Sequence, residues 1–409
     1  MELTSNQQSA ISQLRHWKVG ALFMEPGTGK TRAAIELIRQ CPDVDYVLWI
    51  GPLRTIRTEP GISSVPDEVD KWGGFGVDAG YFGVESIGGS SRIYLNAMEE
   101  VQRHKCVFCV VDESLKIKNA NAKRTRRVME IGKLCSYRLI LNGTPLTRNI
   151  VDMWAQMEFL SPKILNMTLA KFKSTFCKMK IVSKSINGYK YWEKEYITGF
   201  TNLDYLHSLT RHYVYQCDLN LNISQSYRHR WFSLSYEEKE RYQEIKDYFL
   251  EMDELILRND NIFYAMTQKL QHSYCLCEDK FRIVDDILEK HSKDKVIIFC
   301  KYITSREECE KRYPGTLVLS YQKESMGLNL QDYNVTIYFD KVWDYALMLQ
   351  SSRRTYRTGQ TEDCVYYNLT GNVGLESLID DNIDKKISMS EYFKKINKEE
   401  LKKELKKVL

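Results

Sequence analysis

Apolar residues in this chain fall into short unbroken runs separated by segments whose apolar positions recur every three or four residues. Ala21-Leu22-Phe23, residues 46–50, Cys106-Val107-Phe108-Cys109-Val110-Val111 and Leu139-Ile140-Leu141 are the runs of the first 165 residues. None shows the polar alternation of a strand with one wet face, so each predicts a strand buried on both sides. Segments such as Thr31-Arg32-Ala33-Ala34-Ile35-Glu36-Leu37-Ile38 predict helices between them. Strands alternating with helices imply a parallel sheet covered on both faces. Residues 73–89 are glycine-rich and predict a loop, and residues 56–72 predict an irregular excursion. Residues 166–280 lack proline and carry a long helical run over 236–257, so they predict a helical insert; within it, Tyr189-Lys190-Tyr191-Trp192-Glu193-Lys194 reads as a hairpin, packed or touching nucleic acid. From Phe281 the strand pattern returns, with Lys295-Val296-Ile297-Ile298-Phe299 as first strand, one helix over 304–312, one strand over 317–319 and another over 335–340. The spacing of Ile396, Leu401, Leu405 and Val408 predicts a basic amphipathic helix at the C-terminus.

The first run ends in Met24-Glu25-Pro26-Gly27-Thr28-Gly29-Lys30-Thr31. A glycine loop between a strand and a helix lets backbone N–H groups surround a phosphate at the positive helix end. Gly27, Thr28 and Gly29 would form that cradle for ATP or GTP. Lys30 would neutralise the β and γ oxygens, and Thr31 would offer its hydroxyl to Mg²⁺. The third run delivers Asp112 and Glu113 to a strand end, where ligands bind in parallel sheets. Asp112 would hold Mg²⁺ through its water shell, and Glu113 would deprotonate the attacking water.

Asp112-Glu113-Ser114-Leu115-Lys116-Ile117-Lys118-Asn119 and Asn142-Gly143-Thr144-Pro145-Leu146-Thr147-Arg148-Asn149 follow in order. Gly327-Leu328-Asn329-Leu330-Gln331, Val335-Thr336-Ile337-Tyr338-Phe339-Asp340 with Trp343, and Gln350-Ser351-Ser352-Arg353-Arg354-Thr355-Tyr356-Arg357-Thr358-Gly359-Gln360 complete the series. This ordered set resembles the ATPase motor of superfamily-two helicases, and specifically the Swi/Snf-type double-stranded DNA translocases. The resemblance implies an α/β fold of two RecA-like parallel-sheet lobes, residues 1–165 and 281–385, with the insert 166–280 between them and the basic helix 386–409 at the end. It implies ATP and Mg²⁺ as cofactors. It also implies Gln7 as the adenine reader, with Gln8 as fallback, nucleotide contacts from Gly327 and Gln350, and Arg354 and Arg357 as fingers reaching the γ-phosphate on one helical face. Three departures stand out: Ser114 and Leu115 replace the Ala-His that usually follows the carboxylates, Lys323-Glu324-Ser325-Met326 replaces a run of small residues, and the second lobe is trimmed between residues 299 and 327.

Composition narrows the reading further. No apolar stretch reaches membrane-spanning length, and the polar residues 4–9 do not form a signal peptide, so a cytoplasmic location is expected, in a bacterium or in the host of a phage. A phage or mobile-element source is suggested by economy of length alone. Eleven cysteines in such a chain do not make a secreted disulfide framework, and Cys275-Leu276-Cys277 has no second pair to hold zinc. The net charge of +5 is modest. Lys116, Lys118, Lys123, Arg124, Arg126 and Arg127 are concentrated behind the carboxylates, where they would meet DNA phosphates or form a solvated helix face. The expected activity is ATP-dependent movement on nucleic acid, with duplex DNA as the expected polymer, by a monomer with a possible protein partner in replication or recombination. A strand-separating DNA or RNA helicase, an ATP-switched recruitment module and a structural clamp stay open as alternatives.

Overall fold

The computed structural model describes residues 2–57, 64–143, 150–186, 189–251, 260–321 and 330–384. Two compact units divide the chain, residues 1–220 and 221–409.

The first unit is built on a six-stranded sheet of order β3-β2-β4-β5-β1-β8, parallel at every pairing. Its strands are β1 (Val19–Met24), β2 (Tyr46–Gly51), β3 (Asp78–Gly83), β4 (Val107–Val111), β5 (Tyr137–Asn142) and β8 (Val214–Cys217). Helices α1 (Ser5–Leu14), α2 (Lys30–Arg39), α3 (Val65–Lys71), α4 (Val84–Gly89), α5 (Ser91–Arg103), α6 (Lys123–Leu134) and α7 (Val151–Leu160) cover it. Alternate residues of each strand enter separate cores. Phe23, Leu48, Cys109, Val111 and Ile140 pack on one face, and Leu22, Met24, Trp49, Phe108, Val110 and Leu141 on the other. That two-sided burial is why the strands read as unbroken apolar runs. The unit continues through α8 (Pro162–Leu165) and α9 (Leu169–Phe176) into an antiparallel hairpin, β6 (Cys177–Ile186) and β7 (Tyr189–Phe200), and then α10 (Leu203–Thr210).

The second unit carries a five-stranded parallel sheet of order β11-β10-β12-β13-β9. Its strands are β9 (Gln225–Phe232), β10 (Val296–Cys300), β11 (Leu317–Ser320), β12 (Val335–Tyr338) and β13 (Cys364–Gly371). Helices α11 (Tyr236–Glu251), α12 (Asp260–Ser273), α13 (Glu278–Leu288), α14 (Ile303–Arg312), α15 (Tyr345–Thr355) and α16 (Gly374–Asp384) accompany it. Between β10 and β12 the described residues hold one helix and one strand, the economy expected from the sequence. Each unit is thus a parallel α/β lobe, as the fold class requires.

Two expectations are corrected. Residues 166–280 do not form a separate helical insert: besides the hairpin, they supply β8 to the first sheet and β9 to the second. Residues 78–89, read as loop, form β3 and α4. The glycines there serve close packing rather than disorder, since a Cβ on Gly80 would lie 2.1 Å from the Tyr46 hydroxyl and one on Gly88 2.7 Å from Arg124 Cβ. Residues 323–326 and the predicted C-terminal helix lie outside the described residues.

Buried charge organises the second unit. Lys280 Nζ donates to Asp340 Oδ1 at 2.7 Å and to Cys275 O at 3.2 Å, and both side chains are 2% exposed. Asp340 Oδ2 accepts from Lys301 N, and its carbonyl accepts from the Tyr321 hydroxyl. Burial pushes the Lys301 ammonium down to about 8, against the pull of Asp340. Nothing in the sequence singles out Lys280, which sits among Phe281, Ile283 and Val284 on an otherwise amphipathic helix.

Candidate ATP site

Three strand ends meet at one edge of the first sheet. β5 lies between β4 and β1, so Asp112, Gly143 and the loop after Met24 follow neighbouring strands. This is the carboxyl edge where parallel sheets bind ligands.

The loop has the form its glycines predict. Gly27 and Gly29 adopt φ of 89° and 82°, and Gly29 serves as the left-handed cap from which α2 starts at Lys30. Such φ values are open to glycine without a Cβ penalty. Thr28 is buried, its hydroxyl donating to Glu25 O at 2.7 Å. Lys30 Nζ donates to Met24 O at 3.0 Å, so the ammonium is folded over the loop. Thr31 is half-buried in the first turn of α2.

Gln7 is at the loop, as expected, but its amide is engaged there. Nε2 donates to Thr28 O at 3.3 Å and Gly29 O at 3.4 Å, while Oε1 accepts from Thr4 N in the cap of α1. A Cβ on Gly29 would lie 2.1 Å from that Nε2. The Gln7 amide therefore braces the loop in this conformation. Gln8 is exposed and donates to Leu3 O.

At the end of β4, Asp112 is half-buried, with Lys30 and Glu113 nearby in charge. Desolvation and then the Glu113 carboxylate push its pKa up to about 7, and Lys30 opposes the shift. Glu113 takes φ 49° and ψ 54°, the left-handed region. For a glutamate this conformation costs on the order of 1–3 kcal/mol and persists only where surroundings impose it. Glu113 N donates to Asp112 Oδ1 at 2.9 Å, and Lys116 N to Glu113 O. The pair thus sits on a tight turn leading into the 3₁₀ segment Ser114–Ile117.

A glycine cradle at a helix start, an ammonium and a half-buried carboxylate raised by desolvation fit a nucleotide phosphate chain with Mg²⁺. The cation would find hard oxygen donors in Thr31 and Asp112. Asp112 also yields a pH test in metal-free buffer. With the folded pKa near 7 and the unfolded one near 3.8, the native state holds the extra proton between them. Stability from this group is therefore full below about pH 4, declines as pH rises toward 7 and is flat above. Asp112→Asn is expected to be more stable than the parent at pH 8, with the gap closing toward pH 4, as read by thermal unfolding in chelator.

In the second unit the last motif is assembled with the one before it. Leu330 N donates to Arg354 O at 3.3 Å, and a Cβ on Gly359 would lie 3.8 Å from Gln331 Cγ. Gln360 is buried and clamps the turn, donating to Tyr333 O at 2.8 Å and accepting from Thr361 N and Glu362 N. Gln350 and Arg354 lie on α15. Gln350 Oε1 is buried with no hydrogen-bond partner among the described residues, an atom suited to an external donor. The expected single helical face fails at one position. α15 ends at Thr355, so Arg357 belongs to the following turn, closed by Gln360 N on Arg357 O and by Gly359 at φ 103°. Arg353 lies over the Tyr356 ring at 5.2 Å. Residues 144–149 and Gly327 lie outside the described residues.

The basic cluster behind the carboxylates is largely spoken for. Lys116 pairs with Glu85 at 3.2 Å and Lys118 with Asp152 at 3.2 Å. Arg127 donates to Ile87 O and Ser91 Oγ and lies over Tyr94. Lys123 and Arg126 are exposed.

The SNF2-related domain matches residues 87–291, half of the chain. Among curated proteins, the ATP-dependent helicase brm of Drosophila melanogaster is 24% identical over 84% of this chain and 26% of its own length. The chromatin structure-remodeling complex subunit snf21 of Schizosaccharomyces pombe is 22% identical over 91% of this chain and 37% of its own length. The chain therefore spans between about a quarter and just over a third of the length of these relatives. Among solved structures, the Sulfolobus solfataricus SWI2/SNF2 ATPase core in complex with dsDNA aligns over 100% of this chain and 97% of that chain, at 18% identity and a TM-score of 0.41. With the motif order, the two parallel lobes and the domain match together, the chain belongs to the SNF2-related family of superfamily-two ATPases.

Proposed function

We propose that this protein is an ATP-driven motor that moves on duplex DNA. The observation that carries the reading is the single sheet edge in the first unit that presents a phosphate cradle and Lys30 after β1 and the Asp112-Glu113 pair after β4, with only β5 between them. Gly27, Thr28 and Gly29 offer backbone donors to the phosphates, and Lys30 exchanges its bond to Met24 O for their oxygens. Bound Mg²⁺ supplies charge neutralisation of the phosphate oxygens. Glu113 accepts the proton of the attacking water, and Arg354 and Arg357 stabilise charge on the transferred group. Polymer choice rests on family membership and on the exposed Lys123 and Arg126. A protein partner in replication or recombination, a monomeric state and a cytoplasmic location belong to the same proposal.

Duplex DNA is expected to stimulate ATP hydrolysis more than single-stranded DNA or RNA, and the stimulation should weaken as salt rises. Steady-state ATPase assays with the three polymers across a salt series measure this. Equal or greater stimulation by RNA would replace the reading with an RNA helicase, and no stimulation by any polymer would favour an ATP-switched recruitment module.

A further inference from the structure

Among the described residues, three non-glycine positions have positive φ: Glu113, Asn166 and Asn202. Asparagine tolerates that region through its short polar side chain, whereas glutamate does not. Something must hold Glu113 there. We infer that Ser114 and Gln156 form a positioning pair that locks the Glu113 backbone and so aims its carboxylate.

Ser114 is fully buried and opens the 3₁₀ turn that follows Glu113. Its hydroxyl donates to Gln156 Oε1 on α7 at 2.6 Å. Gln156 is 1% exposed, and its Nε2 donates to Asp152 O at 3.0 Å. Both ends of the amide are thus occupied, and the acceptor is fixed in direction. One turn earlier on α7, Asp152 meets Lys118 at the other end of the same 3₁₀ segment. The turn is therefore fastened at both ends to a helix whose Met153, Met157, Phe159 and Leu160 are in the core. Returning Glu113 to negative φ would swing the next residue and carry the Ser114 hydroxyl away from Gln156. Of the two fastenings, only the buried one lies next to Glu113, so it controls the carboxylate's direction. Ser114 is also where the sequence departs from the usual Ala-His, so the contact belongs to this chain's own residues.

The inference rests on Glu113 as the base, and the experiment separates the two. Duplex-stimulated ATPase is measured on the full chain for Ser114→Ala, Gln156→Met, their double variant and each single change in a Glu113→Gln background, with ATP binding and thermal unfolding alongside. Ser114→Ala and Gln156→Met are each expected to lower kcat on the order of 10- to 100-fold, with KM and ATP affinity unchanged. The double variant should lose no more than either single one. In the Glu113→Gln background neither change should lower the residual rate further, because aim no longer matters. A merely structural role would instead lower unfolding temperature and ATP affinity together and would add to the Glu113→Gln loss. Normal kcat in both single variants, or losses that multiply in the double, would overturn the pairing. Should Ser114→Ala fail to fold, Gln156→Met reads the same contact from the helix side. If Glu113→Gln itself turns over normally, the base assignment fails, independently of the pair.

Discussion

Glu113→Gln and Lys30→Ala are both expected to stop ATP turnover, but by different routes. The glutamine keeps the shape of Glu113 and the left-handed turn into Ser114–Ile117, and it leaves the glycine cradle untouched. ATP should still bind with near-parent affinity, while hydrolysis loses the group proposed to take the proton from water, a function worth roughly 10² to 10⁴ in rate. Removing Lys30 acts earlier. Its ammonium is folded over the loop and opposes the negative charge of Asp112. Without it, the phosphates would meet the Asp112 and Glu113 carboxylates with no compensating cation, so ATP affinity should fall along with turnover. Equilibrium binding of a fluorescent ATP analogue beside steady-state hydrolysis distinguishes the routes. Parent-like hydrolysis by Glu113→Gln would show that another group is the base.

Arg357→Ala is expected to reduce kcat by roughly 10³ to 10⁵, the range seen for arginine fingers, while weakening ATP binding far less. The turn that carries it bears on this expectation. Because α15 stops at Thr355, Arg357 is set by the Gln360 clamp and Gly359 rather than by helical periodicity. Gln360→Ala should then reproduce part of the loss without touching any charge. Arg353→Ala, which removes a guanidinium held over Tyr356, should leave kcat within a few-fold of the parent. Single-turnover kinetics at saturating ATP reads these differences. An Arg357→Ala enzyme with parent kcat would remove the second unit from the chemistry.

How far the sequence revealed this fold depends on how each element is buried. β1, β2, β4, β5, β10 and β12 read directly, because both of their faces are buried and the runs are largely unbroken. β3 escaped since its glycines, Gly80 against Tyr46 and Gly83 against Leu53, carry the composition of a loop. β8 and β9 escaped for another reason. They are edge strands with exposed or half-buried positions, and the Tyr-Arg-His-Arg-Trp stretch of β9 looks like neither a core strand nor a helix. At the candidate site, the glycine loop at the start of α2 and the carboxylates after β4 stand where the sequence puts them, because glycine spacing and an unbroken apolar run set the local backbone. The engagement of Gln7 with Thr28 and Gly29, and of Ser114 with Gln156, was not legible, because each partner is set by folding across 21 and 42 residues. The helical extension to Arg357 was overread, since Gly359 ends the turn sooner than the arginine spacing suggests.

The strand exchange by residues 166–280 constrains how the chain can be cut and how it assembles. Fragments drawn at the motif boundaries would each expose a raw sheet edge, the first lacking β8 beside β1 and the second lacking β9 beside β13. An open parallel edge is an invitation to aggregate. Usable fragments must be divided near residue 220, where the contacts themselves divide. The same arrangement sets the order of events during synthesis. β9 leaves the ribosome long before its partner, for Ser224 N bonds to Asp363 across 139 residues. Until β13 arrives, Tyr227 and Trp231 wait without their neighbouring strand, and so long a closure is slow by its entropy alone. The second lobe is therefore finished last from its first strand, and a nascent chain stalled before residue 364 would hold a complete first sheet beside an unfinished second one.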